Sequence, residues 1–237
     1  MARARSVQQA YDVLRIALAY AVRQDGILRA SPIAAVARPR LDREIDFFTR
    51  EETRKFLAAA KTDRYRALRY LVVATGLRWG EVAALRWADV DLEEAALTVR
   101  RALKETREFG STKSRGGRRR IDLPASVVVE LRRHRKKKWK PDDLVFETEN
   151  GEPLHPSNLA RRHLFPTLER AELRRIRFHD LRHTAAAIRL LAGQHPLVVK
   201  ELLGHSSIRT TLDVYRHLQS TVSKDAAAEY DRVMKSK

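Results

Sequence analysis

The sequence predicts a mainly α-helical fold with a small antiparallel β-sheet, an α+β domain. Three observations lead there. Apolar residues recur at helical spacing over most of the chain, as in Val7, Tyr11, Leu14, Leu18 and Val22. The period drops to two over Leu97-Thr98-Val99-Arg100 and again over Arg120-Ile121-Asp122-Leu123. Hydrophobic residues make up 43% of the 237, enough to bury a sizeable core.

The elements follow in order. A first helix spans Val7 to Val22, closed by Gly26 and Ser31-Pro32. Residues 36–44, with Pro39 and mixed charges, read as a linker. One helix of this size cannot enclose its own core, so residues 1–45 read as separate from the main domain, 46–237. There, Thr49 followed by Glu52 is a capping box that starts a helix. A second helix runs from about Asp63 to Ala74 and stops at Gly76; a third runs from about Trp79 to Trp87. The strand Leu97 to Arg100 follows. Ser111-Thr112-Lys113 and Arg120 to Leu123 then read as a hairpin across Gly116-Gly117, a dipeptide that tolerates positive φ. Helix returns from Ser126 to about Lys138, and Leu144-Val145-Phe146 is a short strand. From Ser157 the pattern is helical, broken at Pro166, between Gly193 and Pro196, and at Gly204. A last helix spans Ser223 to Met234.

Charge points to the partner. Lys and Arg number 48 against 30 Asp and Glu, a net charge of +18, which attracts polyanions, nucleic acid first. Arg115, Arg118 and Arg119 cluster near the predicted hairpin, and Arg174, Arg175 and Arg177 form a second group; these six are the candidate DNA contacts. Arg161 and Arg162 are further candidates for reaching base edges. The run from Arg132 to Lys140 adds to this basic character, with a solvated charged face as the lesser reading. With no cysteine, disulfides, thiolate zinc sites and a Cys nucleophile are excluded. Met1-Ala-Arg-Ala-Arg opens no secretory signal, and the apolar stretches, such as Tyr70 to Thr75, are too short to span a bilayer. The expectation is a cytoplasmic, nucleoid location with no membrane partner.

Three segments carry chemistry. Thr75-Gly76-Leu77-Arg78-Trp79-Gly80-Glu81 places an arginine at a helix start, where anions are already favoured and a guanidinium fork matches phosphate. Glu81, three residues on, can hold that guanidinium. In His179-Asp180-Leu181-Arg182-His183, His179 shares a helix face with both Arg182 and His183. The two histidines have metal-like spacing, but no surrounding zinc motif supports a metal. In Leu202-Leu203-Gly204-His205-Ser206-Ser207, Gly204 would cap one helix in the left-handed region and Ser206 or Ser207 would start the next. His205 then sits at the bend and Tyr215 two turns into the next helix. Taken singly, these are an ordinary surface ion pair, two surface histidines and a core tyrosine.

Taken together, Thr-Gly-Leu-Arg-x-Gly-Glu, a lysine in a basic turn, His-x-Leu-Arg-His, and Leu-Gly-His with a tyrosine ten residues later closely resemble the signature of the tyrosine recombinase (phage integrase) family, over about Phe47 to His217. The resemblance implies that family's helical catalytic domain. It implies that Arg78 and Arg182 bind nonbridging oxygens of a scissile DNA phosphate. Lys113 would donate a proton to the departing 5′ oxygen, with Lys104 the lesser alternative. His179 would assist proton transfer, His205 would hydrogen-bond the phosphate, and Tyr215 would be the nucleophile. Residues 1–45 would be the remnant of a helical core-binding domain with its linker, and 46–237 the catalytic domain with a C-terminal helix. The implied partner is double-stranded DNA at specific recombination sites, bound by a homotetramer in the synapse and a monomer off DNA.

The chemistry suits these residue types. Fixed cations stabilise charge that grows on the phosphate in the transition state. A tyrosine with pKa near 10 is only about one part in 1,000 ionised at pH 7, so its proton must leave as it attacks. The phosphotyrosine conserves the energy of the broken bond, so rejoining needs neither ATP nor a metal, and no cofactor is expected. Two other readings share the sequence: a nicking enzyme of the type IB topoisomerase kind, and a non-catalytic DNA-binding relative.

Overall fold

The computed structural model describes residues 2–24, 26–39, 45–111 and 118–218. It divides into two compact units, Met1–Glu44 and Ile45–Lys237. In the first, helix α1 (Ala2–Arg23) is followed by a short 3₁₀ turn at Pro32–Ala35. The returning chain is tied to α1 by polar contacts. Gln8 Nε2 donates to the Pro39 carbonyl at 2.9 Å and the Tyr11 hydroxyl to the Val36 carbonyl at 2.9 Å. Arg38 grips Asp12 through two bonds of 2.9 and 2.6 Å.

The second unit opens with α2 (Arg50–Ala59). The predicted capping box is present: Glu52 N–H donates to Thr49 Oγ1 at 3.2 Å, and Thr49 N–H donates to Glu52 Oε2 at 2.8 Å. Helix α3 (Arg66–Thr75) starts three residues later than its periodicity suggests. Asp63 stays outside because its carboxylate accepts the Tyr65 N–H (2.7 Å) and pairs with buried Arg69 (2.9 Å). Gly76 ends α3 in the left-handed region, φ 63°. Helix α4 (Trp79–Ala83) is shorter than predicted. The chain leaves it so that the Leu85 carbonyl can take the Val145 N–H at 2.8 Å. That contact and the Arg86–Leu144 bridge are all that remain of the predicted strand at Leu144 to Phe146.

Three antiparallel strands, β1 (Val90–Asp91), β2 (Ala96–Val99) and β5 (Arg119–Asp122), pair in the order β1-β2-β5. Strands β3 (Arg101–Leu103) and β4 (Phe109–Ser111) form a separate hairpin. This corrects the predicted pairing. Ser111 stands opposite Arg101, and the partner of β5 is β2. Register follows burial: Leu97 faces Ile121 across the ladder, and both are 1% exposed. Lys113, Arg115 and the Gly116-Gly117 turn lie outside the described residues.

Helix α5 (Ala125–His134) stops short of Lys138, where His134 Nε2 meets the Val145 carbonyl at 2.8 Å. Pro166 does not break the chain's helical course as predicted. Helix α6 (Pro156–Leu159), a π-helical stretch (Ala160–Leu164) and α7 (Phe165–Arg170) run on without interruption. The turn widens just before the proline, with Phe165 N–H donating to the Ala160 carbonyl five residues back.

Helix α8 (Phe178–Leu191) stands between two cores. Its Leu181 joins the larger one with Phe48, Phe56, Leu71 and Phe146. Its Ala185, Ala186 and Ala187 join a second with residues of α9 (Pro196–Leu203) and of α10 (208–218). Three alanines in a row leave room for both helices to pack closely. The predicted helix Ser223 to Met234 lies outside the described residues. Among the described residues, no helix is long and apolar enough to cross a membrane.

Candidate phosphate-binding and nucleophile site

Each signature segment sits at a chain break that aims its side chains. Gly76 is wedged between α8 and α9, its Cα facing Ala185, Leu203 and the Arg182 side chain. Its left-handed turn delivers Arg78 to the start of α4, as expected. Gly204, also left-handed at φ 67°, ends α9 and places His205 in the bend before α10. Ser207 Oγ accepts the Arg209 N–H at 3.2 Å, fulfilling the predicted serine start.

Arg182 is 2% exposed. Its Nη1 donates to the Gly76 carbonyl at 2.6 Å. Its Nη2 is buried with no hydrogen-bond partner among the described residues. Burial and, next, the charge of Arg78 lower its pKa to about 9, so it remains a cation at pH 7. A buried donor left unsatisfied costs about 1–3 kcal/mol, which an anion bound there would relieve. Arg78 is 42% exposed, with Nη1 3.1 Å from Glu81 Oε1 and Nη2 on the Gly204 carbonyl. Glu81 therefore holds the Arg78 guanidinium, as the sequence spacing suggested.

Three histidines border these arginines. The rings of His179 and His183 meet edge to face, centroids 5.1 Å apart. Burial lowers the pKa of His179, helped by the charge of Arg182. Burial, then His179, brings His183 to about 4. Burial, then Arg182 and Arg78, brings His205 to about 3. All three are neutral at pH 7. His205 Nδ1 is 2.9 Å from Thr211 Oγ1, which ties the bend to α10 one turn before Tyr215. Tyr215 is half-buried and packs against the second core, the one built on Ala185 to Ala187. Structure thus gathers Arg78, His179, Arg182 and His205 into one electrostatic cluster, with Tyr215 on the helix that His205 anchors.

The candidate DNA contacts fare differently. Arg118 and Arg175 are exposed, Arg175 stacking over Phe165 at 5.3 Å. Arg177 is exposed but bidentate to Asp180 at 2.7 and 3.0 Å. Arg174 is tied to Asp46 at 2.7 Å, to Glu52 and to the Phe47 carbonyl, so it anchors the start of the unit. Arg119 needs correction. Its side chain is 8% exposed and bidentate to Glu81, so it is not displayed on the surface. Lys104, at the end of β3, pairs with Glu108 at 3.6 Å.

Sequence reasoning missed Arg119, Thr211 and the Gly204 carbonyl as parts of this cluster. A signal existed for the first. Side chains two apart in a strand share a face, so placing Ile121 in the core also turned Arg119 inward.

The phage integrase family model matches residues 46–221, most of the chain, and the chain belongs to that family. It is 30% identical to a "tyrosine recombinase XerC-like" protein of Caldanaerobacter subterraneus subsp. tengcongensis, covering 90% of this chain and 62% of that one. It is 28% identical to the ICEBs1 integrase of Bacillus subtilis, covering 88% and 60%. The chain thus spans about three fifths of the length of these relatives. Among solved structures, the Tn1549 transposon integrase in complex with a circular intermediate DNA superposes with a TM-score of 0.75 at 23% identity, over 94% of this chain and 78% of that one. A lambda integrase dimer bound to a core site gives 0.67 at 20% identity, over 90% and 59%. At these identities the structural likeness speaks for the fold, which is mainly helical with small antiparallel sheets.

Proposed function

We propose that this protein cuts and rejoins DNA at specific sites as a tyrosine recombinase, through a 3′-phosphotyrosyl bond to Tyr215. The observation that carries the reading is Arg182: a buried cation whose Nη2 has no partner among the described residues, beside Arg78 and three neutral histidines. Such a pocket favours a bound anion, and the net charge of +18 suits DNA as its source.

In this reading, Arg78 and Arg182 take the nonbridging oxygens. The Tyr215 oxygen bonds to phosphorus while its proton passes toward neutral His179. The P–O bond to the 5′ oxygen breaks, and that oxygen takes a proton from Lys113. His205, its Nδ1 engaged by Thr211, offers Nε2 to the phosphate. A 5′ hydroxyl from another strand then displaces Tyr215, and the phosphodiester energy is conserved throughout. Arg115, Arg118, Arg175 and Arg177 are proposed to contact the DNA backbone. The partner is double-stranded DNA, engaged by a homotetramer at the synapse and a monomer otherwise, in the cytoplasm at the nucleoid. Residues 1–45 are proposed as the end of a helical core-binding domain. In support, α1 leaves Val7, Val13, Leu14, Ile16 and Tyr20 exposed, an apolar surface suited to more helix. Residues 46–237 form the catalytic domain.

A duplex nicked beside the scissile phosphate tests this. Loss of the short 5′ fragment traps the intermediate, so the wild-type chain should become covalently joined to DNA and Tyr215→Phe should not. An adduct that persists in Tyr215→Phe, or none with wild type on any site of the element it comes from, refutes the proposal.

A further inference from the structure

We infer that Arg119 is a positioning residue, which sets where Arg78 and the segment bearing His205 and Tyr215 stand relative to one another. The inference rests on the strand-cleavage reading above.

Arg119 Nη1 and Nη2 each lie 2.9 Å from a Glu81 oxygen, and its Nε donates to the Leu202 carbonyl at 2.7 Å. The same carboxylate accepts from the Arg78 backbone N–H at 2.9 Å and from Arg78 Nη1 at 3.1 Å. Arg78 closes the circuit by donating Nη2 to the Gly204 carbonyl. Two carbonyls at the end of α9, two residues apart, are therefore held by two guanidinium groups that share one carboxylate.

The arrangement is sheltered. The Arg119 and Glu81 side chains are 8% and 4% exposed, so salt screens their attraction little. Burial raises the pKa of the Glu81 carboxyl, but the Arg119 fork and the Arg78 contacts outweigh it, and the carboxyl ionises below its usual range. From Gly204 the constraint passes to His205, from His205 Nδ1 to Thr211, and along one turn of α10 to Tyr215. On its other side Arg119 opens β5, directly after residues 112–117, which include Lys113. One side chain thus joins the segment that carries Arg78 to the segment that carries His205 and Tyr215. The fork geometry matters: a lysine at 119 supplies a point charge and cannot bridge both Glu81 oxygens and Leu202 in the same plane.

A group that positions others affects the chemical step and leaves DNA binding intact. Displacement of reacting groups by about 1 Å costs up to about 10²-fold in rate. The test uses the 237-residue chain on the nicked duplex. It reads the single-turnover cleavage rate at saturating protein, the Kd for DNA, and the slope of log Kd against log salt. Arg119→Lys and Arg119→Ala should slow cleavage about 10- to 100-fold, with Kd within about threefold of wild type and an unchanged salt slope. Guanidinium ion at about 10 mM should restore part of the Arg119→Ala rate and none of the Glu81→Ala rate. Thermal melting identifies any variant unfolded at the assay temperature. Arg119→Lys, which keeps a cation against Glu81 and leaves the Glu81 hold on Arg78 in place, then carries the test.

A salt slope reduced by about 0.9 with an unchanged rate at saturation would make Arg119 a phosphate contact and overturn the inference. So would variants that cleave at the wild-type rate. Should wild type itself form no adduct, the strand-cleavage reading fails and this one with it; when wild type cleaves and the variants match it, this one alone falls.

Discussion

Lowering the pH from 7 to 5 should weaken the folded state, and two histidines set the size of the effect. His183 and His205 are held at about 4 and about 3 by burial and by neighbouring charge. In the unfolded chain each titrates near its ordinary 6.5. Both folded values are depressed, so the neutral form is the one the fold favours. The stability this contributes is full above pH 6.5 and is lost as pH falls from there toward 4 and 3. At pH 5 an unfolded histidine is almost wholly protonated while a folded one at 4 or 3 is almost wholly neutral. Integrating that difference gives about 2 kcal/mol per histidine between pH 7 and 5, about 4 for the pair. His179, also lowered, adds in the same direction. The lowered carboxylates Glu81 and Asp63 act mainly below this window, since their stabilisation is lost only as pH drops beneath the usual carboxylate range. Urea unfolding at the two pH values measures the difference. His205→Asn, which can still bond Thr211, should remove about half of it. A chain equally stable at both pH values, or more stable at pH 5, would mean that the fold does not hold these histidines neutral beside Arg78 and Arg182.

Other perturbations have defined outcomes. Gly76→Ala forces a side chain into a left-handed position and into Leu203, and should cost about 2–4 kcal/mol in denaturant unfolding. Thr49→Ala removes the capping box of α2 and should cost about 1 kcal/mol, measured the same way. If about 6–10 cationic groups engage backbone phosphates, DNA affinity in a filter-binding or anisotropy titration should fall about 10³–10⁵-fold between 50 and 200 mM salt.

How much of this was legible in the sequence depends on the range of the interactions. The capping box at Thr49 and Glu52, the left-handed stops at Gly76 and Gly204, and the Arg78–Glu81 pair are fixed by residues three or four apart, and each reads directly off the chain. The strand pairing does not. Alternation at Arg120 to Leu123 marks a strand but not its partner, and the choice of β2 over residues 111–113 rests on Leu97 and Ile121 meeting in the core. Helix α4 ended early for the same reason, because Leu85 is claimed by Val145, sixty residues away. Pro166 leaves the helix unbroken because its missing N–H is absorbed by a π turn. In the site, the residues that bear charge were recognisable by type. Arg119 was recognisable only as a cation near the hairpin, because its role comes from contacts with Glu81 and Leu202, 38 and 83 residues away.

In the proposed reaction the phenol of Tyr215 becomes joined to a DNA phosphorus held by Arg78 and Arg182. Protease digestion of the trapped species, followed by mass spectrometry, locates that bond. A nucleotide 3′-phosphate on the peptide containing Tyr215, lost in Arg182→Ala, is the result expected. A nucleotide on any other residue, or linked through its 5′-phosphate, contradicts the mechanism.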